Sequence, residues 1–407
     1  MDARSAPRDI EAAVAALGDG AFTEQALATH VAPLFAHALA IAPERVYLAN
    51  HSLGRPLDAM DSDVREGLAA WYAKMGGAWD AWMTELDAYR GRLARLMNAP
   101  RSDCVVPKTS AGQGLRAILN SYRIDERPRI VATRGEFDSL DIILREYARC
   151  GRIDLAFVEA RGDGRFETAD IVDAIGTRVD LTVVSEVIFN TGQRIDRIDA
   201  IVDRTHRAHG RVLLDVYHSL GALPVDVTAL DVDFAVGGSY KYLRGGPGAC
   251  FLYLHPRHLD GSLRTLDTGW FAKRDTFSYG RPDPPQLAEG GDAFLESTPP
   301  VLTWYQARAG HRLTLALDPA RIRAYSLRQQ QRLVELLASR GIAARGGTGD
   351  HGAFVVVTDP RAGHWCAALA QRQIVTDARG DHLRMCPDIL TPEEELMRAT
   401  DALTDIA

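Results

Sequence analysis

The chain has 407 residues, 46% of them hydrophobic and 25% charged, with a formal net charge of -7. That length outgrows one small core, so two domains are expected, and the mild acidic balance gives no general attraction for nucleic acid or an anionic membrane surface. No apolar run reaches membrane-spanning length, the opening "MDARSAPRDIEAAVAALGDG" lacks the form of a signal peptide, and five scattered cysteines without a CxxC argue against a disulfide framework or a zinc site, so a cytoplasmic protein without a metal is expected.

Residues 1–45 read as a helical segment packed on the rest. From 46 to 300 the chain reads as a large α/β domain. Its β-rich runs are "CVVP" (from Cys104), "RIVAT" (from Arg129), "LAFVE" (from Leu155), "LTVVSEV" (from Leu181), "RVLLDV" (from Arg211), "DFAVGG" (from Asp233) and "ACFLYL" (from Ala249). The first five start 25 to 30 residues apart, room for one crossover helix each, which is how a parallel sheet is wired. Between them "GQGLRAILNSY", "SLDIILREYARC" and "IDAIVDRTHRAHG" carry apolar residues three or four apart, as helices do. Consecutive apolar positions, as in "RVLLDV", predict strands buried on both faces. The expected fold is a mostly parallel sheet with helices on both sides. The stretch "DTFSYGRPDPPQLAEGGD" from Asp275 reads as an irregular loop. Residues 301–407 read as a smaller α+β domain: two long helices, a strand in "GAFVVVTD", a helix at "WCAALAQRQ", a strand near "HLRMC" and a final amphipathic helix.

In open α/β sheets ligands collect at the carboxyl ends of the strands, and three such ends carry chemistry here. "VVPKTSAGQGL" sets hydroxyls before a helix N-terminus, which suits an anion. "RVLLDVYHSLG" ends in Asp215, with His218 three residues on; alone, Asp215 reads equally well as a turn or capping aspartate. "DFAVGGSYKYLRGGPG" places Lys241 among small residues. A P-loop fits poorly, because the lysine precedes its glycines and no GK[ST] follows. Together the three ends fit pyridoxal phosphate, which needs a lysine for its Schiff base, an acid for the pyridine nitrogen and a phosphate cradle. Burial would depress the lysine's pKa and free its amine as a nucleophile. The glycines after Lys241 are then expected to let backbone pass close to the cofactor or a partner subunit. His206 and His209 in "THRAHG" read as surface residues, "HPRH" (His255, His258) as a loop, and Cys366 as a structural thiol.

"SYKYLRGGPGACF" resembles the lysine segment of the kynureninase family, and "DVYHSLGALPVDV" resembles the aspartate segment that precedes it there. "TGWF", "ESTPPV", "NTGQR" and "YLANHSLG" resemble further segments in matching order, covering residues from about 46 to 306. The resemblance implies a fold-type I, class V aminotransferase-like enzyme working as a homodimer with shared active sites. It implies that Lys241 forms the Schiff base and carries protons, that Asp215 pairs with the ring nitrogen beside His218, and that Phe137 stacks on the ring. Thr109, Ser110, Tyr240, Trp270 and Thr298 would surround the phosphate, the last two from the other subunit, with Ser185 a further cofactor-side residue. Arg384 would hold the substrate carboxylate with a bidentate fork, Tyr240 would act as an acid, and His51, Gly77 and Trp79 would face the substrate. Trp79 and Trp82 read equally well as core packing.

The implied reaction is hydrolysis of the Cβ–Cγ bond of L-kynurenine, or a related aryl γ-keto amino acid, to anthranilate (or its analogue) and L-alanine, a step of tryptophan catabolism. Another class V enzyme, an aminotransferase or a cysteine desulfurase or C–S lyase, is the alternative. The chain departs from the family pattern at His51 (asparagine there), Gly77 (histidine or an aromatic), Leu140 (an acid) and Arg244 (asparagine).

Overall fold

The computed structural model describes residues 9–407; the first eight residues of the expected N-terminal segment lie outside the described residues. All seven β-rich runs form strands of one sheet. β1 (Val46–Tyr47) precedes them; the seven are β2 (Val105–Lys108), β3 (Arg129–Thr133), β4 (Asp154–Val158), β5 (Leu181–Ser185), β6 (Arg211–Asp215), β7 (Phe234–Gly238) and β8 (Cys250–Leu254). Their order is β2-β8-β7-β6-β5-β3-β4. β4, β3, β5, β6 and β7 run parallel, and β8 runs antiparallel to both β7 and β2.

The double-sided burial predicted for "RVLLDV" is present. Leu213 packs with Ile130, Ala132 and Val183 against Leu115, Ile118, Leu140 and Leu144 of the helices Ala111–Leu119 and Asp138–Arg149. Val212 and Leu214 point to the other face, toward Ile171 and Ile175 of Thr168–Ile175 and Ile201 and Val202 of Ile198–Arg207. Alternation along each strand feeds two separate cores, which keeps the strand ends free for ligand chemistry.

The C-terminal part holds a second sheet. β9 (Val355–Thr358), β10 (Ile374–Val375), β11 (Asp377–Arg379) and β12 (His382–Met385) follow the helices Leu302–Leu317 and Pro319–Ala338. β11, β12 and β9 form an antiparallel sheet in that order, while β10 pairs in parallel with β1. Two contacts cross the expected boundary at 301. The β1–β10 pair ties the segment before the large sheet to the C-terminal part. Helix Leu302–Leu317 packs on the helices Ala59–Lys74 and Trp79–Leu96, where Arg308 reaches Asp63 (3.2 Å), Glu66 (2.7 Å) and Glu85 (2.6 Å).

Among the described residues no helix is long and apolar enough to cross a membrane. His206 is more than a surface residue. Its Nε2 lies 2.9 Å from Asp233 Oδ2, and His258 Nε2 lies 2.7 Å from Asp233 Oδ1. Two histidines from separate elements therefore hold one buried carboxylate at the start of β7.

Candidate active site

The carboxyl ends of β2, β3, β5, β6 and β7 converge on a cavity of about 230 Å³ lined by Thr109, Ser110, Phe137, Ser185, Asp215, Tyr217, His218, Tyr240, Lys241 and Gly248, among others. β7 ends in Gly237 and Gly238, and Lys241 follows after Ser239 and Tyr240. At Gly238 a Cβ atom would stand 2.1 Å from Tyr217 Oη, so no larger residue fits there. The lysine is 5% exposed, and its Nζ lies over the rings of Tyr217 (4.7 Å), Phe137 (5.4 Å) and Tyr240 (5.7 Å).

Burial pushes the Lys241 pKa down; the Asp215 carboxylate opposes this and the Arg384 and Arg379 guanidiniums add to it. His218 lies well below its ordinary value for the same reason, burial first and the Lys241 charge second. Lys241 Nζ donating to a neutral ring accounts for its 2.6 Å contact with His218 Nε2. The ring proton then sits on His218 Nδ1, a buried atom without a hydrogen-bond partner. Asp215 accepts the Tyr217 N–H through Oδ1 at 2.7 Å, and burial raises its pKa.

At the cavity mouth Ser110 caps the helix Ala111–Leu119, its Oγ accepting the Gln113 N–H at 3.1 Å. The first turn of that helix offers N–H groups to an anion. Thr109 is anchored instead of free: its N–H and Oγ lie 2.7 and 3.0 Å from Gln113 Oε1. Gln113 donates onward to Glu296 (2.9 Å), which also receives the buried Lys108 (2.6 Å). Pyridoxal phosphate fits this donor set. A buried amine with a lowered pKa, an acid with one oxygen uncommitted, aromatic faces, an orphaned ring N–H and a helix N-terminus with hydroxyls all open on one cavity.

Ser185 lines the cavity, but its hydroxyl donates to Glu136 Oε2 at 2.6 Å. It therefore turns lone pairs, not a proton, to any ligand. Glu136 went unread in the sequence. It is fully buried, also accepts the Thr133 hydroxyl (2.6 Å) and the Ser185 N–H (3.2 Å), and burial pushes its pKa up to about 7. Its one sequence signal was its place directly before Phe137.

Arg384 is 3% exposed and within electrostatic reach of Lys241. Its fork is engaged: Nη1 donates to the Phe189 carbonyl and Nη2 to Asp377. His51 stacks on Phe354 at 4.8 Å and lies 3.6 Å from Asp377; burial pushes its pKa down to about 4. Gly77, Trp79, Trp270 and Thr298 lie outside this cavity. Gly77 sits in the turn Met75–Ala78, and Trp79 packs on Trp82 (5.1 Å) and Phe271 (5.3 Å). Trp270 Nε1 donates to Thr298 Oγ1 at 3.1 Å beside the exposed Phe277 and Tyr279.

Two of the glycines after Lys241 make close approaches within the chain. Cβ atoms at Gly245 and Gly246 would stand 2.6–2.8 Å from Ser239 and Ala307 and 2.1 Å from Gln306; Gly248 (φ +87°) reaches the cavity itself. The departure at Arg244 also has a physical reading. Its φ is 53°, a left-handed conformation that asparagine tolerates better than arginine. Here the guanidinium is held by Asp388 and the Tyr242 carbonyl (2.6 Å).

This fold and this cavity define a fold-type I pyridoxal phosphate enzyme. Residues 57–383 match the family model "Aminotransferase class-V", and the chain belongs to that family. Among curated relatives it is 30% identical to the kynureninase of Deinococcus radiodurans over 362 residues, covering 85% of this chain and 84% of that one. It is 27% identical to the kynureninase of Geobacillus thermodenitrificans (89% of each chain) and 24% identical to the uncharacterized aminotransferase YcbU of Bacillus subtilis (85% and 91%). Solved structures share the fold. A C-DES mutant with glycine covalently linked to its cofactor superposes with a TM-score of 0.79 at 20% identity, covering 91% of this chain and 99% of that one. A cysteine desulfurase from Thermococcus onnurineus does so at 0.78 and 17%, covering 90% and 96%.

Proposed function

We propose that the protein hydrolyses the Cβ–Cγ bond of L-kynurenine, or a related aryl γ-keto amino acid, to anthranilate or its analogue and L-alanine. The observation that carries this reading is the similarity to kynureninases over 85% of the chain, joined to a cavity that keeps Lys241, Asp215, His218 and Tyr240 together. Bound pyridoxal phosphate supplies an electron sink conjugated with the substrate α-carbon. Asp215 would hold the cofactor's ring nitrogen, Phe137 would cover its ring, and Ser110 and the helix N-terminus, with Thr109 beside them, would hold its phosphate. Lys241 Nζ, its pKa lowered by burial, takes the proton from the substrate Cα. Tyr240 Oη supplies a proton to Cβ as the bond to the γ-carbon breaks. One water is consumed, its oxygen entering the new carboxyl group of the aromatic product. Arg384 receives the substrate carboxylate, with His51 beside it.

Trp270 and Thr298, outside the cavity of their own chain, fit the reading that they complete a partner's site in a homodimer. Mixing Lys241→Ala and Trp270→Ala protomers would then restore activity that neither has alone, and no recovery contradicts it. The substrate assignment is tested with a panel. L-kynurenine should give fluorescent anthranilate and alanine in equal amounts; sulfide from cysteine, or amino transfer to a keto acid without kynurenine cleavage, would assign a different class V activity.

A further inference from the structure

Asp377 and Arg384 are directly opposed in the β11–β12 ladder, which places their side chains together on one face. Arg379 lies two residues beyond Asp377, on that same face, and its Nε is 3.8 Å from Asp377 Oδ1. The exposures grade outward: the side chains of Arg384, Asp377 and Arg379 are 3%, 16% and 50% exposed. Arg379 also lines a groove with Asn190, His382 and Phe189, and Phe189 is shared with the Lys241 cavity. This wall holds the Arg384 and Arg379 guanidiniums and the Asp377 carboxylate, and the groove beyond Arg379 adds the carboxylates of Asp138 and Asp381. Four buried polar atoms here lack hydrogen-bond partners: Arg384 Nε, Asn190 Oδ1 and both ring nitrogens of His51.

A wall with two guanidiniums and an orphaned Arg384 Nε suits a carboxylate. Its best fork is already filled by a carboxylate of the protein itself. We propose that Asp377 is an internal stand-in for the substrate carboxylate: it occupies the Arg384 fork until an amino acid arrives, then moves outward to Arg379. Asp377 keeps the fork desolvated and aligned in the empty site, and Arg379 stabilises the displaced state. The handover admits a monocarboxylate, since a second acid would meet Asp377 at the rim. This rests on the reading of the cavity as an amino-acid site, but not on which amino acid is cleaved.

The test is calorimetric titration of the holoenzyme with butanoate and with 4-oxo-4-phenylbutanoate, carboxylates that have no amine to react with the cofactor. In Asp377→Asn no charge-assisted hydrogen bond must be broken, and both probes should bind about tenfold more tightly than in the parent. In Arg379→Gln the displaced aspartate loses its acceptor site, and both should bind more weakly; in the double variant that loss should vanish. Unchanged, weaker or undetectable binding in Asp377→Asn would show that Asp377 only orients Arg384 and would overturn the proposal. So would an Arg379→Gln loss that persists in the double variant, because Arg379 would then touch the ligand itself. Arg379 is exposed, and unchanged binding in its single variant would by itself overturn the proposal even if Asp377→Asn folds poorly. Butanoate binding as expected without kynurenine cleavage would keep the stand-in and reject the substrate; cleavage with unaltered binding in Asp377→Asn would do the reverse.

Discussion

Replacing Arg244 by asparagine, the residue kynureninases carry there, should destabilise this protein. The backbone gains: relief of a left-handed φ of 53° is worth about 1 kcal/mol. The side chain loses more. Asp388 is only 5% exposed, its Oδ2 already lacks a hydrogen-bond partner, and the next cation, Arg55, stands 3.9 Å away. Stranding one partner of a buried ion pair costs roughly 3–5 kcal/mol, and the Tyr242 carbonyl loses its donor as well. The net expectation is a loss of about 2–4 kcal/mol. Denaturant unfolding followed by circular dichroism would show a lowered midpoint, and Arg244→Asn combined with Asp388→Asn should recover part of it. An Arg244→Asn protein as stable as the parent, or more so, would refute the reasoning that Asp388 makes arginine tolerable at this position.

Lys241→Ala should abolish the long-wavelength absorbance band of the holoenzyme and lower turnover by about a thousandfold; a retained band would show that another amine holds the cofactor. Burial raises the Glu136 pKa from 4.5 to about 7, so its stability contribution is fully present below pH 4.5 and lost as pH rises through 7. Glu136→Gln should therefore gain about 3 kcal/mol on the parent between pH 5 and pH 8, seen in paired unfolding curves; parallel pH profiles would contradict this. Asp233 shows the opposite sign. Although burial opposes it, hydrogen bonds from His258 and His206 hold its pKa below the ordinary 3.8, so its contribution is present above that value and lost as pH falls through the folded pKa. Asp233→Asn should flatten acid unfolding below pH 4, and an unchanged acid limb would show that the histidines do not stabilise the charge.

The strands were legible because each is a short apolar run buried on both faces, as Leu213 and its neighbours Val212 and Leu214 show. Helix Ala59–Lys74 was not, for its buried positions are Asp63 and Gly67 rather than large apolar residues, and its partners lie some 240 residues away. The same division holds in the site. Residues that line the cavity from strand ends, Lys241, Asp215, His218 and Ser110 among them, stood next to readable apolar runs. Glu136, Asp377 and Arg379 act through pairings set by sheet register and by burial, which a one-dimensional pattern does not display. Arg384 was read as a free fork, and only the β11–β12 ladder reveals the aspartate already lying in it.

The most direct test of the central claim is cleavage of L-kynurenine in water enriched with oxygen-18, with both products examined by mass spectrometry. Hydrolysis at the γ-carbonyl puts one label in the carboxyl group of anthranilate and none in alanine, in a one-to-one yield. Intact kynurenine, or a product set containing a keto acid or sulfide in place of labelled anthranilate, would contradict the account.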